Sequence, residues 1–481
     1  MRHRSSDRGA IGLVAGLLLS AACQQARQEP AALAGATSPL LDYGSEARLL
    51  DQTFRIDLDA VRVSLVYHPE QRLVQGHALL DFRMRPGQLR PLFHFGPAVR
   101  GRVISRLRLD GETWTSPDSS TLRVVEFAGT TQRALEIQRD ISETESHQIE
   151  IEYAVSLPPG YPRFSSEVND LEGRGNEGIF PTINSPAELA RHQITFRVES
   201  LAPFRLIGSG RVERGLDPSL QEWTLDTERP VASYTVMFAL LPEADTVYQE
   251  RTVAGVPMRV MAFSGGTDPA RAFDQLEAWL PALSQNLGPF PMPRGLSIFL
   301  TEEGGGMEYF GGTISSLSAL RHEVFHMYYG CSTIARTYRD SWWDEAIDSW
   351  YTDGGGSEPI PEAFRSNLVS GRSPIATGFD RRAYNEGAQI IEAMARRAGG
   401  RSAMIGFLGW LHRNHSFEPF GTLELAERYR EQTGIDMRAQ FLEWLYLGQA
   451  PPPLAGQALS VAHLPPDYTP PAGILRRYGL R

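Results

Sequence analysis

Residues 322–326 read His-Glu-Val-Phe-His. On a helix, His322 and His326 would sit one turn apart on one face, so both imidazoles can reach one ion while Glu323 projects beside it. Two neutral imidazole nitrogens at about 2.0–2.1 Å, with an adjacent carboxylate for a bound water, make up much of a catalytic Zn2+ site. The third protein ligand must come from elsewhere. "SWWDEAIDSWY" supplies Glu345, with 18 residues between it and His326. Ser341 and Asp344 have the spacing of a capping box, which would start a second helix with Glu345 in its first turn. Trp342 and Trp343 next to Glu345 imply a buried setting, and buried carboxylates need a partner.

The elements that must position these groups follow from the patterning. In "VRVSLVY", Val61, Val63, Leu65 and Tyr67 fall on one face, and "ALLDFRM" does the same with Ala78, Leu80, Phe82 and Met84. Alternation returns from His147, His192 and Ser233, so 51–245 is expected to be an antiparallel β domain. Beyond it, 246–450 is expected to be mainly helical. A helix is predicted from Pro269, a short strand over "GLSIFL", a helix ending on Gly399 and Gly400, one capped by Thr422 and ending at Gly434, and a last one from Asp436. A proline-rich tail, 451–481, follows in extended form.

With 481 residues, 42% hydrophobic and 22% charged, the chain has room for two or three cored domains. A net charge of -10 argues against nucleic acid or an anionic membrane surface as partner. At the N-terminus, Arg2, His3, Arg4 and Arg8 precede "IGLVAGLLL" and the small residues ending in Cys23, the order of an export signal too short to span a bilayer. "LSAAC" resembles a bacterial lipobox, with Ser20 where leucine is preferred, which implies lipidation of Cys23. Residues 24–50 then form a flexible tether, and Cys331, the one other cysteine, is expected to be a small buried residue.

Together these residues resemble the aminopeptidase N and leukotriene hydrolase family of zinc peptidases, the gluzincins marked by His-Glu-x-x-His, 18 residues, then Glu. "HEVFHMYYG" is similar to the family's zinc helix, including Gly330, and "WWDEAIDSW" to its third-ligand helix. "GGMEY", covering Gly305, Gly306, Met307, Glu308 and Tyr309, resembles its Gly-x-Met-Glu-Asn exopeptidase motif. "YNEGA" resembles the Tyr-x-Lys-Gly that supplies a catalytic tyrosine, here Tyr384, and "FPTINSP" from Phe180 resembles the end of its β domain. Tyr309 replaces the motif asparagine, Glu386 the lysine, and only 13 residues separate Glu308 from His322.

The resemblance implies an α+β architecture: an N-terminal antiparallel β-sandwich-like domain, then a thermolysin-like, mainly helical zinc peptidase domain. It implies one Zn2+ per chain on His322, His326 and Glu345, Glu323 as general base and Tyr384 as oxyanion donor. Peptides would be the substrates. Glu308 would hold their α-ammonium on a glycine-rich edge strand, with Glu172 or Glu177 as the second acid. The expected activity is removal of N-terminal residues by an exported, lipid-anchored protein facing the periplasm or cell surface. Its rivals are a zinc endopeptidase or other zinc hydrolase of the same fold, and a non-catalytic surface lipoprotein. Glu323 speaks against the last, since a metal site without turnover has no use for the base.

Overall fold

The computed structural model describes residues 47–49, 55–94, 103–127, 133–157, 163–165 and 179–446, with short breaks at 116, 119, 303, 357–359, 361–363 and 370–379. Cys23, the tether up to 46, Glu172, Glu177 and the tail from 451 lie outside the described residues.

The alternating segments become the strands of a nine-stranded sheet. Its main path runs β7-β8-β6-β1-β2-β5-β3-β4, where β1 is Ile56–His68, β2 Leu73–Met84, β3 Val103–Leu109, β4 Glu112–Thr115, β5 Ser146–Ser156, β6 Leu189–Val198, β7 Arg211–Arg214 and β8 Gln221–Asp226. Val61 stands opposite Leu80 and Val63 opposite Ala78, and all four side chains are buried, so the period-two pattern did select the core face.

Strand direction differs from the all-antiparallel expectation: β6 runs parallel to β1, with Ile194 beside Val63, and the short strand Ala47–Leu49 runs parallel to the strand Leu122–Phe127. Alternation reports which face is buried and says nothing of a neighbour's direction. A parallel pair needs a long connection in sequence, and residues 157–188 separate β5 from β6. Smaller four- and three-stranded sheets accompany this one.

A second, five-stranded sheet has the order β9-β10-β11-β13-β12, with β9 Thr246–Val253, β10 Val256–Phe263, β11 Leu296–Leu300, β12 Gly306–Tyr309 and β13 Gly312–Ser315. Helix α1, Pro269–Leu287, starts where Asp268 accepts from the Ala270 N–H at 2.9 Å. It makes the crossover between the parallel strands β10 and β11. Strand β12 pairs only with β13 among the described residues, leaving a free edge beside the helical part of the chain.

The helices are α2 Leu320–Phe325, α3 Trp342–Thr352, α4 Ala388–Ala398, α5 Arg401–His415, α6 Thr422–Thr433 and α7 Arg438–Tyr446. The molecule is thus mixed α/β, with a large sheet N-terminally and helices C-terminally. Two caps differ from expectation. Thr422 is the first residue of α6, its hydroxyl bonded to Asp340 at 2.8 Å, and Glu424 instead reaches back to the Gly421 N–H at 2.6 Å. Ser341 makes no side-chain cap on α3; its hydroxyl donates to the Tyr338 carbonyl at 2.7 Å. Asp344 is engaged elsewhere. Among the described residues no helix is long and apolar enough to cross a membrane.

Candidate active site

Helix α2 spans only six residues, so the first histidine lies on it and the second just past its end. His326 keeps right-handed helical dihedrals (φ -58°, ψ -16°), and its N–H reaches the His322 carbonyl at 3.3 Å. One more turn of helical backbone therefore holds the two imidazoles as the spacing predicts. Their Nε2 atoms are 3.2 Å apart. Glu345 Oε2 lies 3.2 Å from Nε2 of His322 and 3.5 Å from that of His326. Ligand bonds of about 2.0–2.1 Å in a tetrahedron require edges of roughly 3.3–3.4 Å, so the three atoms form the face of a zinc-sized tetrahedron.

The far nitrogens of both rings face carboxylates. Asp348 Oδ1 is 3.1 Å from His322 Nδ1, and Asp344 Oδ1 is 2.7 Å from His326 Nδ1. A ring that donates its Nδ1–H in this way presents Nε2 as a lone pair in a fixed orientation. Asp348 could also act as a ligand, its Oδ2 being 3.3 Å from His326 Nε2. Yet Oδ1 is committed to His322, and the carboxylate also accepts from the Thr352 hydroxyl at 2.7 Å. Glu345 completes the more regular set.

Neither aspartate is among the site residues that the sequence points to. Asp344, Glu345 and Asp348 fall at i, i+1 and i+4 on α3, one helical face, and that spacing was a readable signal. The capping-box spacing assigns Asp344 to the start of α3, but the His326 imidazole takes its carboxylate instead.

Two glycines make the packing possible. Gly330 has a left-handed φ of +112°, and a Cβ there would stand 2.7 Å from both Asp344 oxygens. At Gly306, on the edge strand β12, a Cβ would come within 2.7 Å of Glu323 Oε1. The strand thus passes directly over the carboxylate that neighbours the histidines. Glu308, half-buried on the same strand, has a carboxylate oxygen within 4.8 Å of ligand atoms of His326 and Asp344. Gly305 turns into the strand at φ +101°, and Met307 is 46% exposed. Tyr309 is buried in a satellite core with Met237, Met261, Phe299 and Ile314, so this departure from the motif serves packing. Tyr384 sits on a π-helical turn, Ala383–Gly387, with its ring stacked on His322 at 5.8 Å between centroids and its hydroxyl hydrogen-bonded to Glu345.

Five carboxylates therefore crowd two imidazoles. Burial, reinforced by Glu308, pushes the Glu323 carboxyl up to about 8, and burial lifts Asp344 to about 7. Burial also raises Glu308. For Glu345 burial is outweighed by His326 and His322, which hold it down at about 2. His322 moves the other way from a buried imidazole: hydrogen bonds to Asp348 and Glu345 override burial and raise it to about 10. Glu323 Oε2 and Asp348 Oδ2 are buried without a hydrogen-bond partner. An acid-rich, desolvated cluster with orphaned oxygens and a preformed N, N, O triangle fits a divalent cation.

No known family profile matches the sequence, and no curated protein matches it. Solved structures do. A variant of the M1 zinc metallopeptidase of Deinococcus radiodurans, bound to a Tyr-Ser-Ala substrate, superposes with a TM-score of 0.60 at 18% identity, covering 83% of this chain and 96% of that one. A two-domain M1 zinc metallopeptidase variant bound to L-tryptophan gives 0.59 at 18% identity, with the same coverages. Legionella pneumophila aminopeptidase A with aspartic acid gives 0.63 at 14% identity, over 85% of this chain and 50% of that one. The structural neighbours of this chain are M1 zinc metallopeptidases, and at these identities the likeness is one of fold.

Proposed function

We propose that this chain, with the fold of the M1 zinc metallopeptidases, is itself a zinc aminopeptidase with a thermolysin-like catalytic half, exported and anchored through lipidated Cys23. The observation that carries the reading is the triangle of His322 Nε2, His326 Nε2 and Glu345 Oε2, with edges of 3.2, 3.2 and 3.5 Å. One zinc held there would lower the pKa of a water toward ~7 and polarise the scissile carbonyl.

The protein's own groups do the rest. Glu323 accepts the water's proton and returns it to the leaving amine, a relay for which a carboxyl raised by its surroundings is suited. Tyr384, a phenol whose pKa burial and Glu345 push upward, stays protonated and donates to the oxyanion. The free edge of β12 can receive an extended peptide, and Glu308 at its inner end is available for an α-ammonium. Glu172 or Glu177 would supply the second acid.

The test compares one peptide with its N-acetylated form. If Glu308 grips the ammonium, the free amine is preferred by at least tens-fold, since losing one partner of a desolvated charge pair costs about 2–5 kcal/mol. Glu308→Ala should narrow that preference by slowing only the free-amine reaction. Equal cleavage of both forms by the unaltered protein would make it an endopeptidase.

A further inference from the structure

Behind the histidine segment lies a half-open pocket of about 250 Å³, bounded by α1, α2, the C-terminal end of α3 and the start of α5. Its walls are apolar and aromatic, chiefly Trp279, Phe325, Tyr351 and Ile405, and two arginines, Arg321 and Arg401, line it with no acidic residue. Arg401 is held in place by the last carbonyls of α3, donating to Trp350 O at 3.1 Å and Tyr351 O at 2.9 Å. Arg321 forms no ion pair with a carboxylate among the described residues. In a chain of net charge -10, an acid-free cavity with two guanidinium groups is set apart from its surroundings.

We infer that this cavity binds a small carboxylic acid with an apolar body, the carboxylate on Arg321 and Arg401 and the body against Trp279, Phe325 and Ile405. The charge decides the class, because a cation would find no counter-ion there, whereas a carboxylate can pair with Arg321, which has no acid partner among the described residues, and with the N–H groups of Arg401 that the carbonyls leave over. The volume decides the size. A cavity of about 150 Å³ holds benzene, so this one suits an aryl group with a short chain. Arg321 and Phe325 directly precede His322 and His326, and Tyr351 and Thr352 end the helix that carries Glu345. A ligand here would touch both segments of the metal triangle from a neighbouring face. Its binding does not depend on the peptidase reading.

The probe is 4-phenylbutyrate, titrated calorimetrically into the whole protein beside its uncharged counterpart 4-phenylbutan-1-ol. Saturable binding is expected, at least fivefold tighter for the acid. Arg321→Ala, at an exposed position, should weaken the acid about tenfold, the loss of one charged hydrogen-bonding partner, and leave the alcohol unchanged. Ile405→Trp, which fills the cavity, should abolish binding of both. Absence of saturation up to about 5 mM, where even a weak fragment would register, overturns the inference, and so does equal affinity for acid and alcohol. Binding that survives Ile405→Trp but disappears with His326→Ala would put the acid on the histidine cluster, and that too overturns it.

Discussion

Both halves of the molecule bury carboxylates, and they treat them in opposite ways. In the N-terminal half, Glu136 is 1% exposed and is met by the guanidinium groups of Arg55 and Arg123 and by the Gln138 amide. Although burial opposes it, those partners hold the Glu136 carboxyl below its ordinary value. Around α2 and α3, Glu308, Glu323, Asp344, Glu345 and Asp348 share two imidazoles, and no arginine pairs with any of them among the described residues. The chain contains no lysine, so arginine is its one permanent side-chain cation, and it is withheld here. One half has balanced its buried charge within the fold. The other carries an excess of negative charge that a divalent ion would balance.

That contrast can be broken at its strongest point first. Glu323→Gln should lower kcat/KM about 10²–10⁴-fold, the usual contribution of a general base, with zinc content by metal analysis unchanged; equal turnover would remove Glu323 from the reaction. The matching change in the other half, Glu136→Gln, should cost about 1–3 kcal/mol of folding stability by removing the charge that Arg55 and Arg123 share. Denaturant unfolding measures this, and metal content should not move. If Glu136→Gln altered metal content instead, the two regions would not be independent.

A smaller effect sharpens the comparison. Asp344→Asn keeps a hydrogen-bond acceptor for His326 Nδ1–H but removes the charge, and should weaken zinc binding about 10–100-fold. Competition with a chelator of known affinity reads it, and unchanged affinity would reduce Asp344 to packing.

The smallest expected effect is a pH trend. Glu323 and Asp344 have folded-state values of about 8 and about 7, above those of the unfolded chain. Their stabilising contribution is present at low pH and is lost as pH rises through those values. His322, raised to about 10, acts in the same direction above its ordinary value. Glu345, held at about 2, has contributed fully by pH 5 and adds no slope above it. The melting temperature of the metal-free protein should therefore fall between about pH 5 and pH 8, and zinc should restore it. A rise over that interval would contradict the unbalanced-charge description. Glu136 slopes the other way, its stability being lost only as pH falls below the ordinary carboxylate range.

Much of this site was legible because its spacing lies within local structure. The i, i+4 histidines needed only helical backbone, and that backbone persists past the end of α2. The 18-residue interval placed Glu345 in the first turn of α3, as expected. Burial of Val61, Val63, Ala78 and Leu80 followed from alternation alone. Less legible was the use of any one polar group. Ser341 and Asp344 match a capping box, but a carboxylate beside a buried imidazole has a better partner than a backbone N–H, and only proximity reveals it. Tyr309 looked like an altered recognition residue and is a core side chain, because strand pairing turns it to the face opposite Glu308.

By itself, then, the sequence determined the periodic and the short-range: which strand faces are apolar, which histidines share a turn, and that acids cluster around them. Tertiary structure alone decided the direction of β6 against β1, the passage of Gly306 over Glu323, the assignment of Asp344 and Asp348 to the far nitrogens of the rings, and the arginine-lined cavity behind α2. The physical reason is range. Dihedral preference and amphipathic period act over a few residues, whereas the approach of Gly306 to Glu323, or the meeting of Phe325 and Ile405 at one pocket, depends on where separate elements come to rest against each other.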